Sequence, residues 1–283
     1  MLGNLTGRRG EVGTGDRFTS ARAAWMLMRV SFLERLVYRF DLVMGLFGTL
    51  ITILVFRHLW ISLYGEHEIY AGATLNQTLT YTALSIVVTR VYPNRLIRVV
   101  AGQLRTGDII FDITRPLHYE NLLLYQTIGQ ALATIVTISL PMFVLVYIVL
   151  RVGLPSSALV WAAFLTSWGL GFCVSFLVDF ITALLGFWTT GMNGIFFARN
   201  SLVSILSGAY IPLWIFPPIL GQILSLLPFY GINYVPMSIL VGKIGLDQVL
   251  PALGLQLVWV AILAATSRWL YAIAVKRLSV QGG

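Results

Sequence analysis

Long apolar runs without alternating polar positions constrain this chain more than any other feature. Several runs approach or exceed the roughly 20 residues that cross a bilayer as a helix. Their lack of a two-residue period argues against a transmembrane β-barrel. Only 11% of the residues are charged, against about 25% in soluble domains. The sequence therefore predicts an all-α membrane protein built from a bundle of transmembrane helices.

Six apolar segments are read as spans: residues 41–63, 73–91, 122–150, 157–185, 201–211 and 249–273. Prolines cut the region before the last span into pieces of about ten residues, which are too short to cross as helices. These prolines are Pro212, Pro217, Pro218, Pro228 and Pro236. Irregular backbone at membrane depth must be covered by protein or water. We therefore predict that residues 213–242 form a re-entrant hairpin on the outer side.

The excess of Lys and Arg over Asp and Glu is explained by the orientation of the chain in the membrane. The net charge is +8, and most of the Lys and Arg residues fall on one side when both termini are placed in the cytoplasm. Basic residues collect on the cytoplasmic side of membrane proteins. We therefore predict a multi-pass protein of the cytoplasmic membrane, embedded in the lipid bilayer, with both termini inside and no nucleic-acid partner.

The N-terminal part differs from the rest. Residues 1–16 are rich in Gly, Thr and charge and are predicted to be a disordered cytoplasmic tail. This leaves residues 17–283 as a single transmembrane domain. Within residues 17–40, apolar side chains recur at helical spacing among arginines: Trp25, Met28, Phe32 and Leu36. The pattern predicts an amphipathic helix in the cytoplasmic interface, and the alternative is an extension of the first span.

Sequence patterns of enzymes are absent. The chain contains no GxxxxGK[ST] phosphate loop, no HExxH and no GxSxG motif. Its three histidines fall on both sides of the predicted membrane and cannot share a metal. We therefore predict a non-catalytic chain that binds no metal or cofactor itself.

Asp179 is the clearest charge inside a span. A carboxylate at that depth indicates a candidate intramembrane polar site. The alternative is that Asp179 lies near the cytoplasmic interface, or pairs with Arg199 or a partner chain. The sequence leaves both interpretations open.

A charged island, residues 92–121, separates the second and third spans. Its core, "LIRVVAGQLRTGDIIFDITRP" (residues 96–116), has apolar residues at helical spacing. Gly107 breaks that helix, and Asp108 is a good helix cap. Arg115, placed before a proline, favours an extended or turning backbone. The apolar residues after Asp108 would be unnecessary in a solvated loop, so the island is predicted to be a docking surface.

Three stretches, taken together, carry a resemblance to a known family. They are "RTGDIIFDITRPLHYENLLL" (105–124), "FLVDFITALLGFWTTGMNGI" (176–195) and "LSGAYIPLWIFPPILGQILSLLPFYGINYVPMSILVGK" (206–243). In the order and spacing of these stretches, the chain resembles ABC-2-type permeases, the membrane subunits of ABC exporters. The resemblance covers roughly Arg22 to the end.

This resemblance implies a six-span subunit with a coupling helix within residues 96–114, which would dock on a separate ATPase. The implied contacts are Arg105, Gly107, Asp108, Asp112 and Arg115. The proline-rich hairpin would close the exit side. ATP and Mg would be bound by the partner ATPase, and a second permease, identical or different, would complete the pathway. The cargo would be hydrophobic or amphipathic: a lipid, a drug or a glycan.

Other functions remain as alternatives at this point. A stand-alone secondary transporter or channel predicts internal repeats and several ionisable groups near mid-membrane, and neither is clear in the sequence. A membrane enzyme lacks its motifs, and a structural scaffold would not need the prolines.

Overall fold

The computed structural model describes residues 14–67, 69–93, 95–114, 117–150, 153–189 and 191–281. Residues 1–13 of the predicted tail lie outside the described residues, as does Arg115. The described helices are α1 Thr14–Val37, α2 Arg39–Tyr64, α3 Leu75–Thr89, α4 Leu96–Thr106, α5 Ile109–Ile113, α6 Tyr119–Thr134, α7 Leu140–Leu150, α8 Ala158–Leu184, α9 Met192–Leu206, α10 Pro218–Ser225, α11 Tyr234–Leu240 and α12 Leu246–Gln281. Shorter turns of 3₁₀ helix occupy Leu185–Phe187, Leu213–Ile215 and Pro228–Gly231.

Four helical segments are long and apolar enough to cross a membrane: Arg39–Tyr64, Tyr119–Val149, Ala158–Phe187 and Leu246–Arg277. A fifth is obtained only if Pro218–Ser225 and Pro228–Leu240, bent by 83°, count as one span. Helices α3 and α9 have 15 residues each, or about 23 Å, which is short of a hydrocarbon core of about 30 Å. The predicted all-α class is confirmed, and the count of six spans stays a prediction.

The predicted fifth span is shifted in the structure. Helix α9 begins at Met192 rather than at residue 201, and after Ser207 the chain turns at Gly208, whose φ is +70°. Arg199 and Asn200, which precede the predicted span, lie inside this helix, and Arg199 is paired there with Asp179 of α8. We call residues 207–242, which follow α9, the broken segment.

Helix α8 lies at the centre of the fold. Half of the residues in its most apolar stretch are buried within the chain, whereas the share is 11% for α2 and α12. One hydrophobic cluster joins α8 to α3, α7 and α11 and includes Tyr81, Met142 and Met237. A second joins α8 to α4 and α6 and includes Val100 and Leu122. The first cluster therefore supports the broken segment, and the second supports α4.

Helix α1 is separate from α2, since the backbone breaks at Tyr38 (φ −82°, ψ 62°). It lies along α6 so closely that a Cβ atom at Gly129 would fall 2.2 Å from the carbonyl oxygen of Met28. Ser31 of α1 is buried, whereas Trp25 of the predicted apolar stripe is exposed. The amphipathic segment therefore forms its own helix, and its place in the membrane interface stays a prediction.

Two local features shape the remaining connections. A π-helical turn, Ile135–Ser139, links α6 to α7 just before Pro141, whose missing N–H disturbs the regular hydrogen-bond ladder. Between α2 and α3, Ile69–Tyr70 pairs antiparallel with Ala73–Thr74. Thr74 then caps α3 through a reciprocal pair of hydrogen bonds with Gln77, which fixes where α3 begins.

Candidate functional site

The charged island forms an elbow, residues 96–114, made of α4, a turn and α5. Helix α4 is amphipathic: Ile97 and Val100 are buried beside α8, whereas Arg98 is exposed. Gly107 ends α4 in the left-handed conformation, with φ +82°, which glycine adopts without steric cost. The sequence-predicted helix and its break are therefore both present.

The tip of the elbow presents charged and apolar groups side by side. Arg105, Gly107 and Asp108 are exposed there. Ile110 and Phe111 expose 57% and 71% of their surface. Large apolar side chains exposed next to charges are typical of an interaction surface. The structure thus brings three of the predicted contact residues together at one exposed turn.

Asp112, another predicted contact, lies inside the elbow. Its carboxylate is 9% exposed and accepts a hydrogen bond of 2.6 Å from the Gln103 side-chain amide. The Tyr119 hydroxyl donates to the amide oxygen of Gln103 at 2.7 Å. These hydrogen bonds join α5 to α4 and to the start of α6. Asp112 therefore stabilises the shape of the elbow. Arg115, the last predicted contact, is outside the described residues.

A groove of about 430 Å³ runs beside the elbow. One wall is α4, including Arg98 and Arg105, and the other is the connection from α8 to α9 with the first turn of α9, including Thr189 and Asn193. The Arg98 guanidinium lies 4.0 Å from the centre of the Phe196 ring, a favourable cation–π contact. The elbow and the α8–α9 connection therefore form one continuous surface.

The five prolines lie at or near the beginnings of the short helical pieces in the broken segment. Pro212 and Pro217 each precede a helical turn, Pro218 and Pro228 begin one, and Pro236 lies in the first turn of α11. At these positions the backbone N–H that proline lacks has no intrahelical partner to lose. The prolines therefore set where each piece begins. Whether this segment is re-entrant in a bilayer stays a prediction.

Side chains of α3 hold the start of the broken segment by its backbone carbonyl groups. The Tyr81 hydroxyl donates to the carbonyl of Gly208 at 2.8 Å, and the Ser85 hydroxyl donates to that of Ala209 at 2.5 Å. The Asn233 amide donates to the Ser85 hydroxyl at 2.5 Å. The three side chains are fully buried. These hydrogen bonds satisfy carbonyl groups that an unbroken helix would have satisfied itself.

Two more side chains hold the middle of the broken segment. The Tyr92 hydroxyl donates to the carbonyl of Ile232. Gln256 of α12, which is 1% exposed, donates to the carbonyl of Gly231 at 2.6 Å and exchanges hydrogen bonds with Ser167 of α8. The broken segment is therefore fixed to α3, α8 and α12. We call the four side chains that donate to its carbonyls the carbonyl anchors: Tyr81, Ser85, Tyr92 and Gln256.

Asp179 and Arg199 form a buried ion pair between α8 and α9. The Arg199 Nε atom lies 2.5 Å from Asp179 Oδ1, and the side chains are 10% and 2% exposed. Arg199 also donates to the Ser175 hydroxyl at 3.3 Å and to the Asn200 side chain at 3.0 Å. Of the interpretations left open by the sequence, the structure shows the pairing with Arg199. Within the described part of the chain, no group of three or more His, Cys, Asp or Glu side chains is placed to hold a metal.

The carbonyl anchors are the residues that sequence reasoning missed. A polar side chain inside an apolar run needs a buried partner, and Tyr81, Ser85 and Gln256 carried that signal. Their partners could not be read from it, because a backbone carbonyl leaves no mark in the sequence. Gly208 lies 127 positions from Tyr81 along the chain.

The comparisons with known proteins bear on this arrangement. The family described as "ABC-2 family transporter protein" matches residues 47–282, which include the elbow, the ion pair and the broken segment. No curated protein matches the chain. The family match confirms the resemblance carried by the three stretches. The chain therefore belongs to the ABC-2 transporter family and is a membrane component of a transport system.

Proposed function

We propose that this chain is the permease subunit of an ABC exporter, and that a separate ATPase docks on the tip of the elbow. The observation that carries this proposal is the exposed pairing of Ile110 and Phe111 with the charges of Arg105 and Asp108. The chain itself has no phosphate loop, so ATP and Mg would be bound by the partner. Membership of the ABC-2 family supports the same assignment.

Hydrogen bonds inside the elbow should make it move as one unit when the ATPase pushes on its tip. Because Asp112, Gln103 and Tyr119 are joined by hydrogen bonds, a push on the tip moves α4 together with the start of α6. Helix α3 ends at Thr89, a few residues before α4 begins. Displacement of α4 therefore acts directly on the end of α3. In this mechanism the elbow works as a rigid lever when ATP binding closes the ATPase pair.

The carbonyl anchors would carry the movement to the opposite end of the protein. Three of them, Tyr81, Ser85 and Tyr92, belong to α3 or follow it directly, and each holds a carbonyl of the broken segment. A shift of α3 therefore pulls on the broken segment, which we propose gates the exit. Asn233→Ala, which removes a hydrogen bond to Ser85, should leave ATP hydrolysis intact and reduce transport per ATP hydrolysed. Equal loss of both activities would contradict this linkage.

A second permease, identical or different, would complete the pathway. Helix α9 exposes Phe197, Leu202 and Ile205 by 65%, 55% and 57%, and α2 exposes Phe47 and Ile51 by 57% and 59%. Within a bilayer such faces suit lipid or another apolar helix. Membership of the ABC-2 family supports a hydrophobic or amphipathic cargo, such as a lipid, a drug or a glycan.

Co-purification tests the docking proposal. The chain is co-expressed with a candidate phosphate-loop ATPase from the same organism and purified through a tag on the permease in mild detergent. The test variants are Arg105→Ala with Asp108→Ala, and separately Phe111→Ser. Arg277→Ala, an exposed arginine at the end of α12, is the matched control. Truncating a residue that dominates an interface costs about 2 kcal/mol or more, or roughly a thirtyfold loss of affinity.

The wild type and the control should retain the ATPase, and both elbow variants should lose it. If the wild type retains no ATPase in detergent or in lipid nanodiscs, the exporter proposal fails. The buried ion pair of Asp179 and Arg199 would then favour the stand-alone transporter. Retention of the ATPase by the elbow variants would place the docking surface elsewhere.

A further inference from the structure

Arginines cluster where α1, α3 and α6 meet. Arg35 of α1, Arg90 at the end of α3 and Arg95 before α4 line one small cavity. Thr127 and Gln130 of α6 complete its wall with polar groups. Three positively charged side chains thus converge at the level where the spans emerge toward the elbow.

The cluster has too few carboxylates to balance it. Asp41 Oδ2 lies 2.9 Å from Arg95 and 4.0 Å from Arg35. No carboxylate of the described residues lies within 4.0 Å of Arg90. The Nη1 atom of Arg35 is buried and has no hydrogen-bond partner in the part of the chain that the structure describes. Burial, followed by the charge of Arg95, lowers the pKa of Arg35, and Asp41 acts in the opposite direction.

An apolar groove continues from this cavity along the spans. Its first part, about 190 Å³, shares Val91 and Ala131 with the cavity and is also lined by Phe172. Its second part, about 240 Å³, shares Val91, Ile135 and Trp168 with the first. The groove is therefore bounded by α3, the α6–π segment and α8. The cationic cavity and the apolar groove therefore adjoin each other through shared lining residues.

We propose that this composite site binds one anionic phospholipid from the leaflet on the elbow side, with its phosphate at the arginines and an acyl chain in the groove. Guanidinium groups bind phosphate through paired, charge-assisted hydrogen bonds. Basic pockets between transmembrane helices are typical sites for anionic lipid headgroups.

The small size of the cavity and the apolar groove beside it favour a phospholipid over a soluble phosphate as the ligand. The cavity measures about 20 Å³, enough for about one water molecule. We therefore place the phosphate at the mouth of the cavity, beside the partly exposed side chains of Arg90 and Arg95, where the charge of the more deeply buried Arg35 also attracts it. A soluble phosphate would leave the apolar groove empty, whereas a phospholipid fills both parts. This binding is a property of the chain alone and does not depend on ATPase docking or on which compound is exported.

Lipid titration tests whether the arginine cluster binds the phosphate of the lipid headgroup. The delipidated full chain is titrated in detergent with phosphatidylglycerol, phosphatidylcholine or glycerol 3-phosphate, and binding is followed by native mass spectrometry. The test variant is Arg35→Gln with Arg90→Gln. The control is Arg29→Gln, which removes an exposed arginine of α1 that does not line the cavity. The test variant should bind phosphatidylglycerol about tenfold or more weakly, because hydrogen bonds to charged groups are lost, and the control should bind as the wild type does.

A substitution that fills the apolar groove tests whether the groove holds the acyl chain of the lipid. A Cβ atom at Gly169, which lines the groove, meets no atom within 4 Å, so Gly169→Leu fills open space without a clash. Gly254→Leu on α12, where a Cβ also meets nothing within 4 Å, is the matched control. Gly169→Leu should weaken phosphatidylglycerol binding several-fold, and Gly254→Leu should not.

The outcomes separate the alternatives. Equal binding of both phospholipids, unaffected by the arginine substitutions, would overturn the proposal in favour of non-specific lipid. Glycerol 3-phosphate binding as tightly as phosphatidylglycerol would show a soluble-phosphate site instead. If Gly169→Leu changed the oligomeric state and left lipid binding intact, the groove would be an interface between copies of the chain, and the proposal would also fall.

Discussion

Neutralising Asp179 should destabilise the protein strongly, because its partner would stay buried and charged. Asp179→Asn keeps the shape of the side chain and removes its charge. Breaking a buried pair by removing one partner costs about 3–5 kcal/mol, whereas exposed pairs are worth about 0–1 kcal/mol. Asp179 and Arg199 are 2% and 10% exposed, so the first range applies. Because the asparagine oxygen can still accept a hydrogen bond from Arg199, we expect the lower end of this range. Asp179→Asn should therefore lower the free energy of unfolding by about 3 kcal/mol.

This loss of unfolding free energy should lower the melting temperature by a measurable amount. For domains of about 150–250 residues, 1 kcal/mol moves the melting temperature by about 2–4 °C, so Asp179→Asn should melt about 6–12 °C lower. Arg199→Met, which leaves a lone buried carboxylate, should be at least as unstable. The double variant Asp179→Leu with Arg199→Met replaces both charges by apolar groups and should lie within about 1 kcal/mol of the wild type.

The assay is thermal unfolding followed by the fluorescence of the eight tryptophans, in detergent and in lipid nanodiscs. Glu66→Gln, which neutralises an exposed carboxylate, is the control and should shift the midpoint little. A melting temperature of Asp179→Asn equal to that of the wild type would refute the reasoning. So would a double variant as unstable as the sum of the two single variants. A stable double variant that binds its ATPase but does not transport would instead assign the pair a role in transport.

Three further substitutions test other contacts. Gly129→Leu would drive a side chain into the carbonyl of Met28, 2.2 Å from the Cβ position, so α1 should detach from α6 and become accessible to limited proteolysis. Gln256→Leu leaves the buried carbonyl of Gly231 unpaired and should lower the free energy of unfolding by about 1–3 kcal/mol, measured by the same melting assay. Gly107→Ala, at φ +82°, costs about 1–2 kcal/mol in the left-handed conformation and should weaken ATPase retention about tenfold in the co-purification experiment.

Two glycines provide controls for these substitutions. A Cβ atom at Gly102 or Gly254 meets nothing within 4 Å, and neither residue has a positive φ. Alanine at either site should leave stability unchanged or raise it, since alanine favours helix. Wild-type behaviour of Gly129→Leu would show that the close approach of α1 to α6 does not constrain the fold. Loss of stability in the two controls would show that substitution of a helical glycine is costly here even without a steric contact.

The apolar spans could be predicted from the sequence because hydropathy alone determines them. The predicted segments 41–63 and 157–185 agree within a few residues with Arg39–Tyr64 and Ala158–Phe187. Helix α9 begins at Met192, nine residues before the predicted span, because hydropathy alone excludes a charged residue such as Arg199 from an apolar segment. Its counter-charge lies on another helix, and this tertiary partner is invisible to any local pattern.

In the elbow, too, local sequence patterns predict the helices, whereas contacts between helices cannot be read from the sequence. Helical periodicity and the Gly107–Asp108 pair predicted a helix and its break, since both depend on neighbouring residues only. The orientation of Asp112 depends on Gln103, one helix earlier, and on Tyr119, one helix later. Exposed and buried carboxylates look alike in a sequence, so the docking residues could be located but not separated from the residues that support them.

The buried polar groups of this chain fall into two kinds that respond differently to substitution. The ion pair joins two side chains, so both charges can be replaced together and the helices remain complete. The carbonyl anchors satisfy backbone groups that no substitution removes, so replacing Gln256 or Ser85 by an apolar residue always leaves an unpaired carbonyl. The broken segment therefore depends on a few side-chain hydrogen bonds where a continuous helix has its own ladder. Loss of one such hydrogen bond should therefore act on the broken segment itself, which we propose gates the exit, and leave the continuous spans around it complete.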